Sequence, residues 1–276
     1  MSAAEKKNVL REYQQTGFEL QLSGVSLADS GPMLPLIHSA DAVRNPDRNE
    51  PTAADYFACG QIMLVPCDVF DENLVYTYVG RPAFRELRRP VCLILRPAPE
   101  LLQNVFVFDT GAYCMDRYSK IVDSIADVNR FRIPADAEAI RRFIKCHFGD
   151  NRGYYWSQTN MQREYELMDS SEEFGYSVLV RLLRFSKLEF DTRCRTIENI
   201  LRTPIPLEKY LQAVIVPMSL AEEETFRAFR QRPEANFEVL QYNDEQGSHP
   251  AEYCNTQLET VLFNYYVEKG YVSNAL

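Results

Sequence analysis

Residues 193–217 read RCRTIENILRTPIPLEKYLQAVIVP and give the first indication of the fold. The first half of this stretch places a carboxylate, Glu198, among isoleucine and leucine, and the stretch ends in the apolar run 212–217 (QAVIVP). Short apolar, β-branched runs bounded by prolines are typical of strands. A carboxylate inside an apolar strand is costly unless it is paired or used. Glu198 is therefore a candidate functional residue, and the alternative is a glutamate on the solvent face of an edge strand.

Further strands and helices lie on either side of this stretch and follow one another in irregular order. The predicted strands are the apolar or alternating runs 74–79, 90–95, 104–108 and 236–242. The predicted helices are 136–148, 177–190, 225–232 and 251–269, the third of them preceded by an S-x-x-E capping box at Ser219 and Glu222. Such an order favours an α+β fold over a regular array of βαβ units.

Length and charge restrict the class of protein. The 276 residues carry a formal net charge of −9, which argues against a protein that coats nucleic acid through bulk electrostatics. A narrow basic cleft or a solvated basic face is compatible with the densest positive segment, which contains Arg81, Arg85, Arg88, Arg89 and Arg96. The sequence has no repeat and no linker, so we expect one domain over residues 1–276.

Several features point to the cytoplasm. No apolar run approaches the roughly 20 residues that span a bilayer, and the N-terminal MSAAEKKNVLREYQQ has no apolar signal core. The seven cysteines contain no C-x-x-C pair, which is typical of reduced thiols in a cytosol. We therefore expect a cytoplasmic protein without a membrane partner.

Common catalytic motifs are absent from the sequence. It has no GxGxxG after a strand, no GxxxxGK[ST], no HExxH and no GxSxG, which excludes the usual signatures of dinucleotide folds, P-loops, zincins and α/β-hydrolases. Three histidines and no paired cysteines make a structural zinc site improbable. We expect no metal site.

A histidine marks the first of two further segments that suit a ligand. The strand-like run 34–39 (LPLIHS) ends at His38 and Ser39, where the polar segment 39–55 begins, and we interpret that segment as a long surface loop. A histidine at such a place can donate hydrogen bonds to ribose hydroxyls or carbonyls. The alternative is a surface or locally satisfied histidine.

Two tyrosines and an arginine mark the other segment, 76–85 (YTYVGRPAFR). Tyr76 and Tyr78 are two residues apart, so a strand projects both from one face. Gly80 permits a turn or a close backbone approach, and Arg81 carries a planar guanidinium that suits a diphosphate. These features favour a cradle for a dinucleotide, and the alternative is a core strand that ends in a turn.

Together the three segments resemble the ADP-ribosyltransferase superfamily, most of all the branch with a His-Tyr-Glu triad that includes DarT-like bacterial toxins. His38 matches the first position of the triad, Tyr76 or Tyr78 the second and Glu198 the third. Arg81 matches an arginine that follows the second motif in a proline-containing loop. The resemblance implies a mixed or antiparallel split sheet of the ADP-ribosyltransferase type with flanking helices.

The resemblance also implies a co-substrate, NAD, and a role for each matched residue. The implied NAD-binding residues are His38, Ser39, Tyr76, Tyr78 and Arg81, with the tyrosines near the nicotinamide and the arginine near the diphosphate. The implied catalytic residues are His38, Tyr78, Arg81 and Glu198, and the glutamate stabilises the oxocarbenium ion as nicotinamide leaves.

The implied activity is mono-ADP-ribosyl transfer to a nucleic acid or a protein, in a toxin or anti-phage effector that can have an antitoxin partner. Thr196 stands two residues before the glutamate, where many transferases have Gln or Glu, so the acceptor stays open. Residues 109–112 (DTGA) and 152–158 (RGYYWSQ) match nothing in the family pattern. Two alternatives use the same surface, namely an NAD hydrolase and a non-catalytic protein that binds a nucleotide or a partner.

Overall fold

The computed structural model describes residues 2–11, 13, 22–42, 44, 50–83, 90–111, 128–158, 193–244 and 251–273. The helix predicted at 177–190 and the arginines at 85, 88 and 89 lie outside these ranges. Within them, no helix is long and apolar enough to cross a membrane.

Eleven strands lie within the described ranges, and nine of them form one sheet. They are β1 (Leu36–Ala40), β2 (Gln61–Ile62), β3 (Val65–Cys67), β4 (Glu72–Val79), β5 (Val91–Leu95), β6 (Asn104–Phe106), β7 (Arg132–Ile133), β8 (Glu198–Leu201), β9 (Ile205–Pro206), β10 (Leu211–Pro217) and β11 (Glu238–Tyr242). The main sheet has the order β11-β10-β5-β1-β4-β8-β6-β7, β3 also pairs with β4, and β2 and β9 form a separate small ladder.

The main sheet is mixed, because β10 and β11 run parallel whereas the other neighbours run antiparallel. One ladder is short. β1 pairs with β5 along all five of its residues, but it pairs with β4 only through Leu36–Val79 and Ile37–Tyr78. The hydrogen-bonded ladder between β1 and β4 therefore stops just before His38.

Helices flank the sheet, which makes the fold α+β as predicted. They are α1 (Ala3–Asn8), α2 (Ala53–Cys59), α3 (Ala137–Phe148), α4 (Asn151–Tyr155), α5 (Leu207–Tyr210), α6 (Met218–Ala221), α7 (Glu224–Arg230) and α8 (Ala251–Glu268). The last helix packs on β10 and β11, and α2 packs on α7. All five residues of β5 are buried, and one continuous apolar core extends from Val9 to Val272 through the described residues.

Most predicted elements lie within two residues of the observed ones, and two local predictions are wrong. The capping box does not form, because Ser219 lies inside α6 and its amide and hydroxyl both donate to the carboxylate of Asp244. The loop predicted over 39–55 is too long, because Ser39 and Ala40 belong to β1 and α2 begins at Ala53. The capping box there is formed by Thr52 and Asp55.

Candidate functional site

Glu198 is the first residue of β8 and lies in the middle of the sheet. β8 pairs with β4 on one side and with β6 on the other, and both ladders reach Glu198, opposite Tyr78 and Phe106. The glutamate side chain has no exposed surface. The alternative of a solvent-facing glutamate on an edge strand is therefore wrong, and Tyr78 and Glu198 share one face as a directly opposed pair.

Thr110 holds one oxygen of this carboxyl group. The backbone amide of Thr110 lies 2.9 Å from Glu198 Oε2, and the threonine hydroxyl lies 2.6 Å from the same atom. The other oxygen, Oε1, is buried without a hydrogen-bond partner in the described part of the chain. Such an atom is uncommon in a folded protein, because a buried acceptor without a donor costs free energy.

A second acid lies in the same cluster. Asp109 is fully buried, and its Oδ2 accepts a hydrogen bond of 3.1 Å from the hydroxyl of Tyr78. Burial, and after it the charge of Asp109, hold the pKa of Glu198 well above its usual value of 4.5, although the donors of Thr110 and the hydroxyl of Tyr78 act in the opposite direction. Tyr78, Asp109, Thr110 and Glu198 thus form one buried group, which we call the acid cluster.

Tyr76 projects from the same face of β4 as Tyr78, as predicted. It lies opposite Ile200, is half-buried, and its hydroxyl contacts the thiol of Cys67. Burial is the main cause that raises the pKa of Tyr76 well above its usual value, and the charges of Cys67 and Glu198 add to it. Tyr76 is therefore a neutral, partly accessible aromatic ring beside the acid cluster.

His38 lies where β1 and β4 separate. Its Nδ1 is 2.8 Å from the carbonyl oxygen of Tyr76, and its Nε2 is 3.2 Å from the hydroxyl of Tyr56. A carbonyl only accepts, so Nδ1 carries a proton, and in the neutral ring Nε2 accepts from Tyr56. The ring also meets the Tyr56 ring edge-on at a centroid distance of 5.2 Å. Ser39 is the next residue of β1, is buried, and lies opposite Cys92 of β5.

Arg81 follows the end of β4 and is buried, with 2% of its surface exposed. Gly80 makes the turn with a φ of +66°, a conformation that favours glycine. The guanidinium then donates from Nη1 to the carbonyl of Tyr154, at 3.1 Å, and to the hydroxyl of Ser157. A solvated basic face is therefore the wrong interpretation for Arg81, and its role as a diphosphate ligand stays a prediction.

Tyr154 connects Arg81 to the strand that carries Glu198. Its hydroxyl donates to the carbonyl of Val79, at 3.0 Å, and accepts from the amide of Ile197, at 2.9 Å. Val79 and Ile197 are also joined by a backbone hydrogen bond of 2.9 Å. The segment 152–158, which matches nothing in the family pattern, thus contains the residue that fixes Ile197, just before Glu198.

The structure therefore brings Tyr78 and Glu198 into direct opposition, places Tyr76 on the same face of β4 as Tyr78, joins His38 to the backbone carbonyl of Tyr76, and binds Arg81 to α4. Sequence reasoning missed Asp109, Thr110 and Tyr154. The signal for the first two was a polar pair, Asp-Thr, directly after the apolar run 104–108. Within the described ranges, no group of three or more His, Cys, Asp or Glu side chains could hold a metal ion.

Comparison of the chain with protein-family models, with curated proteins and with solved structures finds no match.

Proposed function

We propose that this chain is an NAD-dependent mono-ADP-ribosyltransferase whose catalytic carboxylate is Glu198, on a sheet of the ADP-ribosyltransferase type. The observation that carries the proposal is Glu198 Oε1, a buried acceptor without a donor in the described residues, directly opposite Tyr78. A second support is position. The three segments of the resemblance lie on β1, β4 and β8, which are consecutive neighbours in the sheet.

The chemistry follows from these groups. The bond between the ribose C1′ and the nicotinamide nitrogen breaks, and nicotinamide leaves with the bonding electron pair. Glu198 stabilises the positive charge that develops on the ribose, an interaction that is strong in a buried site. The acceptor nucleophile then forms the new bond to C1′ and loses its proton. With water as the acceptor, the same steps hydrolyse NAD.

The other residues position the co-substrate in this proposal. Tyr76 and Tyr78 offer aromatic surface to the nicotinamide ring, His38 and Ser39 lie at the ribose, and Arg81 serves the diphosphate. Because Glu198 has no exposed surface and Arg81 is bound to α4, NAD reaches these groups only when neighbouring residues move. Binding therefore includes a local rearrangement around the acid cluster.

The test uses NAD labelled on the adenylate, incubated with the protein and with RNA, DNA or cell lysate in separate mixtures. Nicotinamide release and label retained on macromolecules are both measured. Glu198→Gln is expected to lower turnover about 100- to 1000-fold, because a group that stabilises transition-state charge is lost. The matched control is Glu259→Gln, which changes a buried carboxylate in α8 and should keep wild-type turnover.

Each outcome selects one function. Label on one fraction that depends on Glu198 identifies a transferase and its acceptor class. Glu198-dependent nicotinamide release without retained label identifies an NAD hydrolase. Intact NAD in every mixture contradicts the proposal and favours a non-catalytic binding protein.

We also propose, from the resemblance alone, a cytoplasmic toxin or anti-phage effector, with an antitoxin as a further partner. Induced expression of the wild-type chain in a bacterial host should then arrest growth, and Glu198→Gln should abolish the arrest. Growth arrest by both forms at equal protein levels would contradict an enzymatic toxin.

A further inference from the structure

Asp109 and Thr110 are two residues that the resemblance does not assign and that the fold places against Glu198. They follow β6, which is the neighbour of β8 in the sheet. The amide of Asp109 donates to the carbonyl of Arg193, at 3.0 Å, so this turn is fixed to the residues that lead into β8. The acid cluster is therefore anchored from both sides of Glu198.

We propose, on the basis of the function proposed above, that Thr110 and Asp109 are positioning residues that set the orientation and the charge of the Glu198 carboxyl group. Thr110 determines which oxygen is available, and Asp109 determines how readily the group ionises.

The orientation follows from the contacts of the two oxygens. Thr110 directs its amide and its hydroxyl at Oε2, within 2.9 and 2.6 Å. Two donors on one oxygen fix the carboxyl plane, and hydrogen bonds to a charged group are among the stronger ones. Oε1 has no donor within the described part of the chain. It is thus the atom left to accept a ribose hydroxyl and to face the developing positive charge.

The charge follows from the neighbours of the carboxyl group. The titratable groups that interact with Glu198 are Asp109, Tyr78, Tyr76 and Cys67. The Tyr78 hydroxyl donates to Asp109 and also acts to lower the pKa of Glu198. Glu198 and Asp109 are two buried acids that interact electrostatically, and such a pair retains a proton more readily than two isolated acids. A cationic nicotinamide ring nearby favours loss of that proton, so Glu198 becomes a carboxylate when NAD is bound. Asp109 thereby couples the charge of Glu198 to the presence of the co-substrate.

The kinetic test compares Thr110→Val, Thr110→Ser and Asp109→Asn with wild type over a range of pH. Thr110→Val should lower kcat about 10-fold or more, with little change in KM for NAD, because it removes one hydrogen bond to a charged group. Thr110→Ser keeps the hydroxyl and should restore most of kcat. Asp109→Asn should move the acidic limb of the kcat profile to lower pH, because a like charge is removed.

The matched control for these variants is Thr77→Val. Thr77 is an equally buried threonine of β4 whose hydroxyl contacts the backbone carbonyl and the side-chain amide of Asn199, and alternation puts it on the opposite face from Tyr78. Wild-type kcat in Thr110→Val overturns the proposal, and so does an equal loss in Thr110→Val and Thr77→Val.

A second measurement does not depend on turnover. In protein labelled with ¹³C at the glutamate carboxyl carbon, the signal of Glu198 is identified by its loss in Glu198→Gln and is titrated by NMR. Asp109→Asn should lower its midpoint by about one pH unit or more, Thr110→Val should raise it, and Thr77→Val should leave it unchanged. If NAD is never consumed but these shifts appear, the proposed transferase function is wrong, whereas the effect of Thr110 and Asp109 on Glu198 is confirmed. An unchanged midpoint in both Asp109→Asn and Thr110→Val overturns the proposal that these two residues set the charge of Glu198.

Discussion

Glu198 makes the stability of the protein depend on pH, because this buried acid ionises less readily in the folded chain. Burial and the charge of Asp109 raise the pKa of Glu198 above the 4.5 of an unperturbed glutamate. Between 4.5 and the higher value, the folded state holds a proton that the unfolded state has released. The free energy of unfolding therefore falls as pH rises through that interval, and the contribution is fully present only below it.

The corresponding prediction concerns Glu198→Gln. The amide stays neutral at both pH values. The free energy of unfolding of the variant minus that of wild type should therefore be larger at pH 8 than at pH 5. One raised acid changes the free energy of unfolding by up to about 1.4 kcal/mol per pH unit within the interval. Urea unfolding at the two pH values measures the effect. Thr77→Val removes no titratable group, so its free energy of unfolding should differ from that of wild type by the same amount at both pH values. The same result for Glu198→Gln would contradict the prediction, because the carboxyl group would then ionise alike in the folded and unfolded states.

The helix α4 is the element that links the end of β4 to the beginning of β8. It is a short helix, begun by the Asp150 side chain, which accepts from the amide of Gly153. The neighbouring tyrosines of α4 serve different parts of the molecule. Tyr154 bridges Val79 and Ile197, whereas Tyr155 donates to the carbonyl of Glu259 in α8, at 2.6 Å.

Tyr154→Phe should therefore affect both stability and the site. Removal of its hydroxyl takes a partner from two buried backbone groups, which should cost about 1–3 kcal/mol, and it loosens the residue before Glu198. Urea unfolding and NAD consumption are the two measurements. Tyr155→Phe is the control, and it should lower stability while keeping the wild-type rate. If the two variants lose activity equally, α4 acts only on the fold.

The elements of this chain could largely be predicted, whereas the acid cluster could not. β5 and β10 are short apolar runs next to Pro90 and Pro217, and their predicted bounds are one residue from the observed ones. The contact of Thr110 with Glu198 joins residues 88 positions apart, and it exists because β6 pairs with β8. The same reason explains the failed capping box, since Ser219 binds a residue 25 positions away. Local pattern predicts local structure, and the site depends on the order of strands.

In the molecule as a whole, contacts join distant parts of the described sequence, and one domain over residues 1–276 stays a prediction. Neighbouring strands of the main sheet come from positions between 36 and 242. The single tryptophan, Trp156, lies 5.0 Å from the ring of Phe263 between centroids and so reports on the contact between α4 and α8. The N-terminal segment is held by Arg132 and Arg202, which donate to the carbonyls of Val9 and Leu10.

If the chain unfolds as one cooperative unit, Trp156 fluorescence and far-UV circular dichroism should give the same urea midpoint, since coincident probes are the mark of a two-state transition. A second probe reports on β11, an edge strand of the main sheet. Trp156→Phe combined with Phe237→Trp moves the tryptophan next to β11, where Phe237 stacks on Phe229 at 5.4 Å. Its fluorescence midpoint should match the circular dichroism of the same variant. A Trp156 transition at lower urea than the sheet signal would instead make α4 and α8 a separate unit, and Glu198 would then lose its support from Tyr154 before the sheet unfolds.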